Sequence, residues 1–91
     1  MSNIEEVVKT YNLLAISLPD GAWSRQFAHP RMEARGTRIY MEYQRWAGGD
    51  LRYQPEKQYV TLAEAENEIT RLKQREGRYR RRLRLEQEKQ T

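Results

Sequence analysis

No cysteine occurs in the 91 residues, which excludes disulfides, thiolate chemistry and cysteine-based zinc sites together. Histidine is nearly absent. His29 stands alone, with no carboxylates at ligand spacing around it, so a structural role is expected for it and no metal or other cofactor is expected for the chain. There is one phenylalanine against six tyrosines and two tryptophans, so tyrosine and tryptophan are expected to build much of the core. No segment approaches the ~18 apolar residues of a membrane span, and the start, MSNIEEVVK, shows neither a basic nor a continuous apolar leader. A soluble, cytoplasmic protein is the resulting expectation, with no membrane contact. Catalytic signatures are missing as well. Gly48-Gly49 is an isolated pair in a turn and not a phosphate loop. The carboxylates of Glu5-Glu6 and of Glu64, Glu66 and Glu68 fall where helix N-termini already account for them. Neither an enzyme nor a small-molecule substrate is expected.

A chain of this length is one domain, residues 1–91, and buries only about two-thirds of the surface its unfolded form exposes. Hydrophobic residues make up 37% and charged residues 33%, so completion of the core by a partner, as an oligomer or an obligate binder, is expected. The 10% aromatic content argues against disorder.

Ile4, Val7, Val8, Tyr11 and Leu14 recur at helical spacing behind Glu5 and Glu6, which predicts a helix over residues 3–18. Pro19-Asp20-Gly21 predicts a turn. Residues 22–29 fit a helical turn that sets Trp23 and Phe27 on one face before Pro30 ends it. Residues 31–47 fit two periods. Met32, Gly36, Ile39, Tyr43 and Trp46 form a three-four stripe, whereas Ile39, Met41 and Tyr43 alternate with Tyr40, Glu42 and Gln44 as a strand would. Ala47-Gly48-Gly49-Asp50 followed by LRYQPEKQYV favours a β-hairpin near residues 37–60, its second strand interrupted by Pro55 and therefore at an edge. The architecture expected is α+β, with an N-terminal helix, a β-hairpin and a long C-terminal amphipathic helix. The alternative is an all-α bundle or coiled coil.

Thr61 and Glu64 form a capping box. Behind it Leu62, Ala65, Ile69, Leu72, Glu76, Tyr79 and Leu83 mark one seam, with Gly77 as a weak point. A helix over residues 61–88 is about 40 Å long, more than a small sheet can cover, so residues 71–91 are expected to project or to pair with another chain. Within RLKQREGRYRRRLR, residues 71–84, eight basic side chains face one acidic one, for a net +7; the other nine basic and twelve acidic residues net −3, giving +4 for the chain. Arg71, Lys73, Arg75, Arg78, Arg80, Arg81, Arg82 and Arg84 are the candidate nucleic-acid contacts, because arginine forks bind phosphate oxygens and concentrated charge attracts polyanions. A helix dipole favours cations only in the last turn and does not ask for this many.

Tyr40, Tyr43, Trp46, Tyr53 and Tyr59 are interleaved with Arg38, Arg45 and Arg52, a combination that either builds the core or stacks unpaired bases. The scarcity of phenylalanine favours the core, with Tyr40 and Trp46 as the exposed exceptions. The run RIYMEYQRWAGGDLRYQPEKQYVTLAEAENEITRL resembles the strand-strand-helix units of small DNA-binding modules, the arm-binding domains of phage-type integrases among them, and of many unrelated domains. That likeness implies an architecture and no activity.

Two functions follow as expectations. The first is a small non-enzymatic nucleic-acid-binding or regulatory protein acting through its basic C-terminal helix, in the style of a phage or plasmid accessory factor. The second is an inhibitor or adaptor that blocks a nucleic-acid-processing protein, with Tyr40, Trp46, Leu72, Tyr79 and Leu83 as the partner-binding residues.

Overall fold

The computed structural model of the chain describes residues 3–90. Helix α1 spans Ile4–Ser17, strands β1, β2 and β3 span Ala28–Arg35, Arg38–Trp46 and Tyr53–Val60, and helix α2 spans Leu62–Gln90. The strands form one antiparallel sheet in the order β1-β2-β3. This is the α+β arrangement, and residues 31–47 are strand, so the all-α alternative is set aside.

The sheet has one strand more than expected, β1. Pro30 conceals it: read in the sequence as the end of a helical turn, it sits where the β1–β2 register slips by one residue between Ala28 and Arg31. An edge strand with a bulge is where a sheet tolerates proline, because no ladder donor is lost there. Pro55 likewise lies on the other edge strand, opposite Gln44, while central β2 has no proline. Gly36 opens a two-residue loop between Arg35 and Arg38 at φ +62°, the conformation a tight hairpin of this kind needs at its first position. Residues 22–29 form no helical turn. Ser24 and Phe27 exchange backbone hydrogen bonds of 3.2 and 3.3 Å, and this small loop holds Trp23 and Phe27 edge to face, 6.1 Å apart, as a cover on the core.

The two helix starts are local chemistry. The Asn3 side chain accepts from the Glu6 N–H at 2.8 Å. At α2, the Glu64 N–H donates to Thr61 Oγ1 at 3.1 Å and Glu64 Oε1 accepts from the Thr61 N–H at 3.4 Å, the two halves of a capping box.

Both helices lie on the sheet face that carries Met32, Ile39, Met41 and Val60. Val7, Tyr11, Ala15 and Leu18 of the first helical segment meet those residues, and Ala65 and Leu72 of α2 close the cluster. Tyr11 is its centre, fully buried, with its hydroxyl donating to the Met41 sulfur at 3.5 Å. The edge of β1 is closed by a side chain. Asn12 donates from Nδ2 to the Met32 carbonyl at 2.9 Å and accepts from the Met32 N–H at 2.7 Å, standing in for the next strand. Asn12→Ala leaves both strand groups unpaired and is expected to cost about 1–3 kcal/mol, read as a lower urea midpoint at unchanged m-value.

α2 runs alongside α1 and past it. Tyr79 is its last residue packed on the core, and every described residue beyond it is exposed. The Cα radius of gyration is 15.0 Å, against about 12 Å for a compact chain of this length. The excess is the projecting end of α2. α2 continues through Gly77 without a break.

Candidate nucleic-acid interface

The eight cations of α2 divide by their partners. Arg75 is turned inward. Its Nη1 donates to the Ala22 carbonyl at 3.1 Å, and its guanidinium lies 5.6 Å from the Trp23 ring centre and 5.3 Å from that of Phe27. Burial pulls this guanidinium below its usual range, and the neighbouring Arg78 charge adds to the effect. Arg82 donates from Nη2 to the Gly21 carbonyl at 2.7 Å and lies over the Tyr79 ring. A Cβ at Gly21 would stand 3.2 Å from Cε1 of Tyr79, so the ring would have to shift by a few tenths of an ångström to admit it. Arg75 and Arg82 therefore fasten the helix to the loop after α1. Arg75→Gln is expected to lower stability by about 1–3 kcal/mol by loss of the carbonyl bond and the ring contacts, while Arg81→Gln changes it by less than about 0.5 kcal/mol; thermal unfolding of the two variants side by side separates them.

Arg71 and Arg80 hold ion pairs on their own helix, to Glu68 at 2.8 Å and Glu76 at 3.3 Å. Both arginines are largely exposed, and pairs of this kind contribute little and exchange readily for a stronger anion. The side chains of Lys73, Arg78, Arg81 and Arg84 make no hydrogen bond or ion pair with another described residue. At 3.6 residues per turn these four fall within an arc of about 140° opposite the core, along about 16 Å of helix. No carboxylate interrupts that arc between residues 71 and 84. The result is a cationic face on one continuous helix, where arginine forks can bind phosphate oxygens.

A groove of about 430 Å³ adjoins this face, with Arg71, Arg75 and Arg78 along one wall and Met41, Tyr43 and Gln58 along the other. Tyr43 donates to Glu56 Oε2 at 2.7 Å, and Arg45 Nη1 lies 2.9 Å from Glu56 Oε1. The tyrosine hydroxyl, and then the arginine, hold the Glu56 carboxyl below the usual carboxylate range, while the same hydrogen bond raises the Tyr43 phenol.

The residues expected to bind a partner do not share one surface. Leu72 is 2% exposed, in the chain's own core, and Tyr79 packs on Gly21. Leu83, at 38%, continues the seam on the projecting end. Tyr40 and Trp46 stand on the opposite face of the sheet. The aromatic set, expected chiefly as core, is mostly elsewhere: only Tyr43 points to the helices, where it meets Phe27 at 4.9 Å. The core draws its volume from Tyr11 and from aliphatic and methionine side chains. Sequence reasoning read Gly21 only as a turn residue and did not single out Asn12 or Ala22; the contacts of all three lie 20 to 61 residues away in the chain.

Among the described residues, no group of three or more histidine, aspartate or glutamate side chains is placed to hold a metal ion. His29 is exposed, 3.8 Å from Asp20. No helix among them is long and apolar enough to cross a membrane. No family model, curated protein or solved structure matches the chain.

Proposed function

We propose that this is a non-enzymatic protein that binds nucleic acid through the outer face of α2, with Lys73, Arg78, Arg81 and Arg84 as the primary phosphate contacts and Arg71 and Arg80 recruited from their ion pairs. The observation that carries the reading is the arc of four cations without partners among the described residues, on a helix whose base is fastened to the body by Arg75 and Arg82. A charged face on a preformed helix loses little side-chain and backbone freedom on binding, and its potential speeds encounter with a polyanion. Arg75 and Arg82, counted with the rest by sequence, act in this reading as supports and not as contacts.

Titration of fluorescently labelled duplex and single-stranded DNA and RNA with the protein at low salt tests it. Saturable binding that weakens as salt is added supports the reading, and no binding to any of the four at low salt removes it.

A second reading rests on Leu83. It extends the apolar seam beyond the body and stays partly exposed, which suits a protein partner or a second copy lying along the projecting end of α2. Affinity held by such a seam is far less sensitive to salt than phosphate contact.

A further inference from the structure

The face of the sheet turned away from both helices carries four aromatic rings that the core does not use. Alternation along the strands puts Arg31, Glu33 and Arg35 of β1, Arg38, Tyr40, Glu42, Gln44 and Trp46 of β2, and Tyr53, Pro55, Lys57 and Tyr59 of β3 on that face. The pairing arranges them in rows. Tyr40 lies opposite Tyr59, with ring centres 6.1 Å apart, and Trp46 opposite Tyr53, at 5.3 Å, both edge to face. Tyr59, Tyr53 and Trp46 are 55%, 44% and 38% exposed.

The ring pairs support the sheet across its strands but leave apolar ring area in water, and their neighbours indicate what covers it. The face holds four cations and two carboxylates, a net +2. Three of the cations lie over tyrosine rings: Arg35 and Lys57 over Tyr40 at 5.9 and 5.6 Å, and Arg38 over Tyr59 at 6.0 Å. Arg35 and Arg38 are also direct cross-strand partners at the hairpin tip. Like charges so opposed are unfavourable in the free sheet. Glu33, 3.4 Å from Arg35 and 3.8 Å from Lys57, offsets part of this charge. A polyanion completes the compensation, and one with planar bases also covers the rings. An acidic protein would meet the charge without a use for four π faces.

We infer that this outer sheet face, through Tyr40, Tyr59, Trp46 and Tyr53, stacks the unpaired bases of a single-stranded nucleic acid, with Arg35, Arg38 and Lys57 on its phosphates. The two aromatic rows are separated by six residues of β2, roughly 20 Å along an extended strand, which seats several nucleotides. The Trp46 backbone N–H donates to the Arg25 carbonyl at 2.8 Å, which ties this end of β2 to the loop before β1. Stacking of this kind tolerates any base, because every base has a π face. The site is separate from the α2 arc and lies on the other side of the sheet.

The test removes the α2 charges first, so that the two surfaces are read independently. In the full-length Lys73→Gln, Arg78→Gln, Arg81→Gln, Arg84→Gln protein, anisotropy of labelled 12-nucleotide single-stranded DNA and RNA is compared with that of the matching duplexes. Residual binding is expected to favour single strands. Adding Trp46→Ala and Tyr59→Ala is expected to weaken single-strand binding about 30-fold, from at least fivefold for each ring, without moving duplex binding. Trp46→Phe with Tyr59→Phe is expected to keep most of the affinity, which separates loss of stacking from loss of fold. No single-strand preference, or equal losses for single strand and duplex, overturns the inference. So does self-association of the intact protein that the alanine pair abolishes without any effect on single-strand binding, since it assigns the face to a second copy.

Discussion

Changing Lys73, Arg78, Arg81 and Arg84 together to glutamine is expected to weaken binding of duplex DNA by about 100- to 1,000-fold near 0.15 M salt, with folding unchanged. The size follows from counterion release: each phosphate contact contributes about −0.9 to the slope of log K against log salt, which near that concentration is roughly 0.7 log units per contact. Three or four contacts give the range. Folding is spared because the four side chains bond to no other described residue and face away from the core. The choice of residues matters. A variant that includes Arg75 or Arg82 also detaches α2 from the carbonyls of Ala22 and Gly21, so a loss of binding there reports on the fold as much as on the surface. Changing three exposed cations elsewhere, at Lys9, Arg25 and Arg52, is the control for loss of positive charge. It is expected to weaken binding far less.

The second large effect is on stability. Tyr11→Ala is expected to remove about 3–5 kcal/mol, against a total of about 5–14 kcal/mol for 91 residues, and so to leave the protein partly or wholly unfolded at 37 °C. Tyr11 joins α1 to the sheet at its most enclosed point. Tyr11→Phe is expected to cost about 1 kcal/mol or less, because the hydroxyl's acceptor is the thioether of Met41, a weak one. Burial, and then the Glu68 carboxylate, push the Tyr11 phenol above its ordinary value of 10.0, with Arg75 opposing. The folded state therefore keeps its proton where the unfolded chain releases it. Stability from this group is complete below about pH 10 and declines as the pH rises beyond it. Tyr11→Phe is expected to flatten that alkaline limb, which denaturant titrations between pH 8 and 11 measure.

The parts of this fold written in short-range chemistry were legible in the sequence. Thr61 and Glu64 announce α2, and the seam from Leu62 through Leu72 to Tyr79 faces the core. Ile39 and Met41 alternate inward with Tyr40 outward. β1 was not legible, because the bulge around His29 and Pro30 breaks the two-residue period and Met32, Gly36 and Ile39 happen to fall at helical spacing. The role of the tyrosines was misleading for a compositional reason. With one phenylalanine they were the obvious core material, yet Met32, Met41 and Ile39 fill that space and most of the rings face outward. The division among the arginines was beyond local pattern altogether. Arg75 and Arg78 are three residues apart in the same run, and what distinguishes them is the carbonyl of Ala22, 53 residues upstream of Arg75.

The most direct measurement of the central claim, that the outer face of α2 is a phosphate-binding surface, is the salt dependence of duplex DNA affinity for the intact protein. A linear fall of log K against log salt with a slope of about −2 to −4, reduced towards zero in the four-glutamine variant, is the expected result. Absence of binding at 50 mM salt, or a slope near zero in the intact protein, would contradict it.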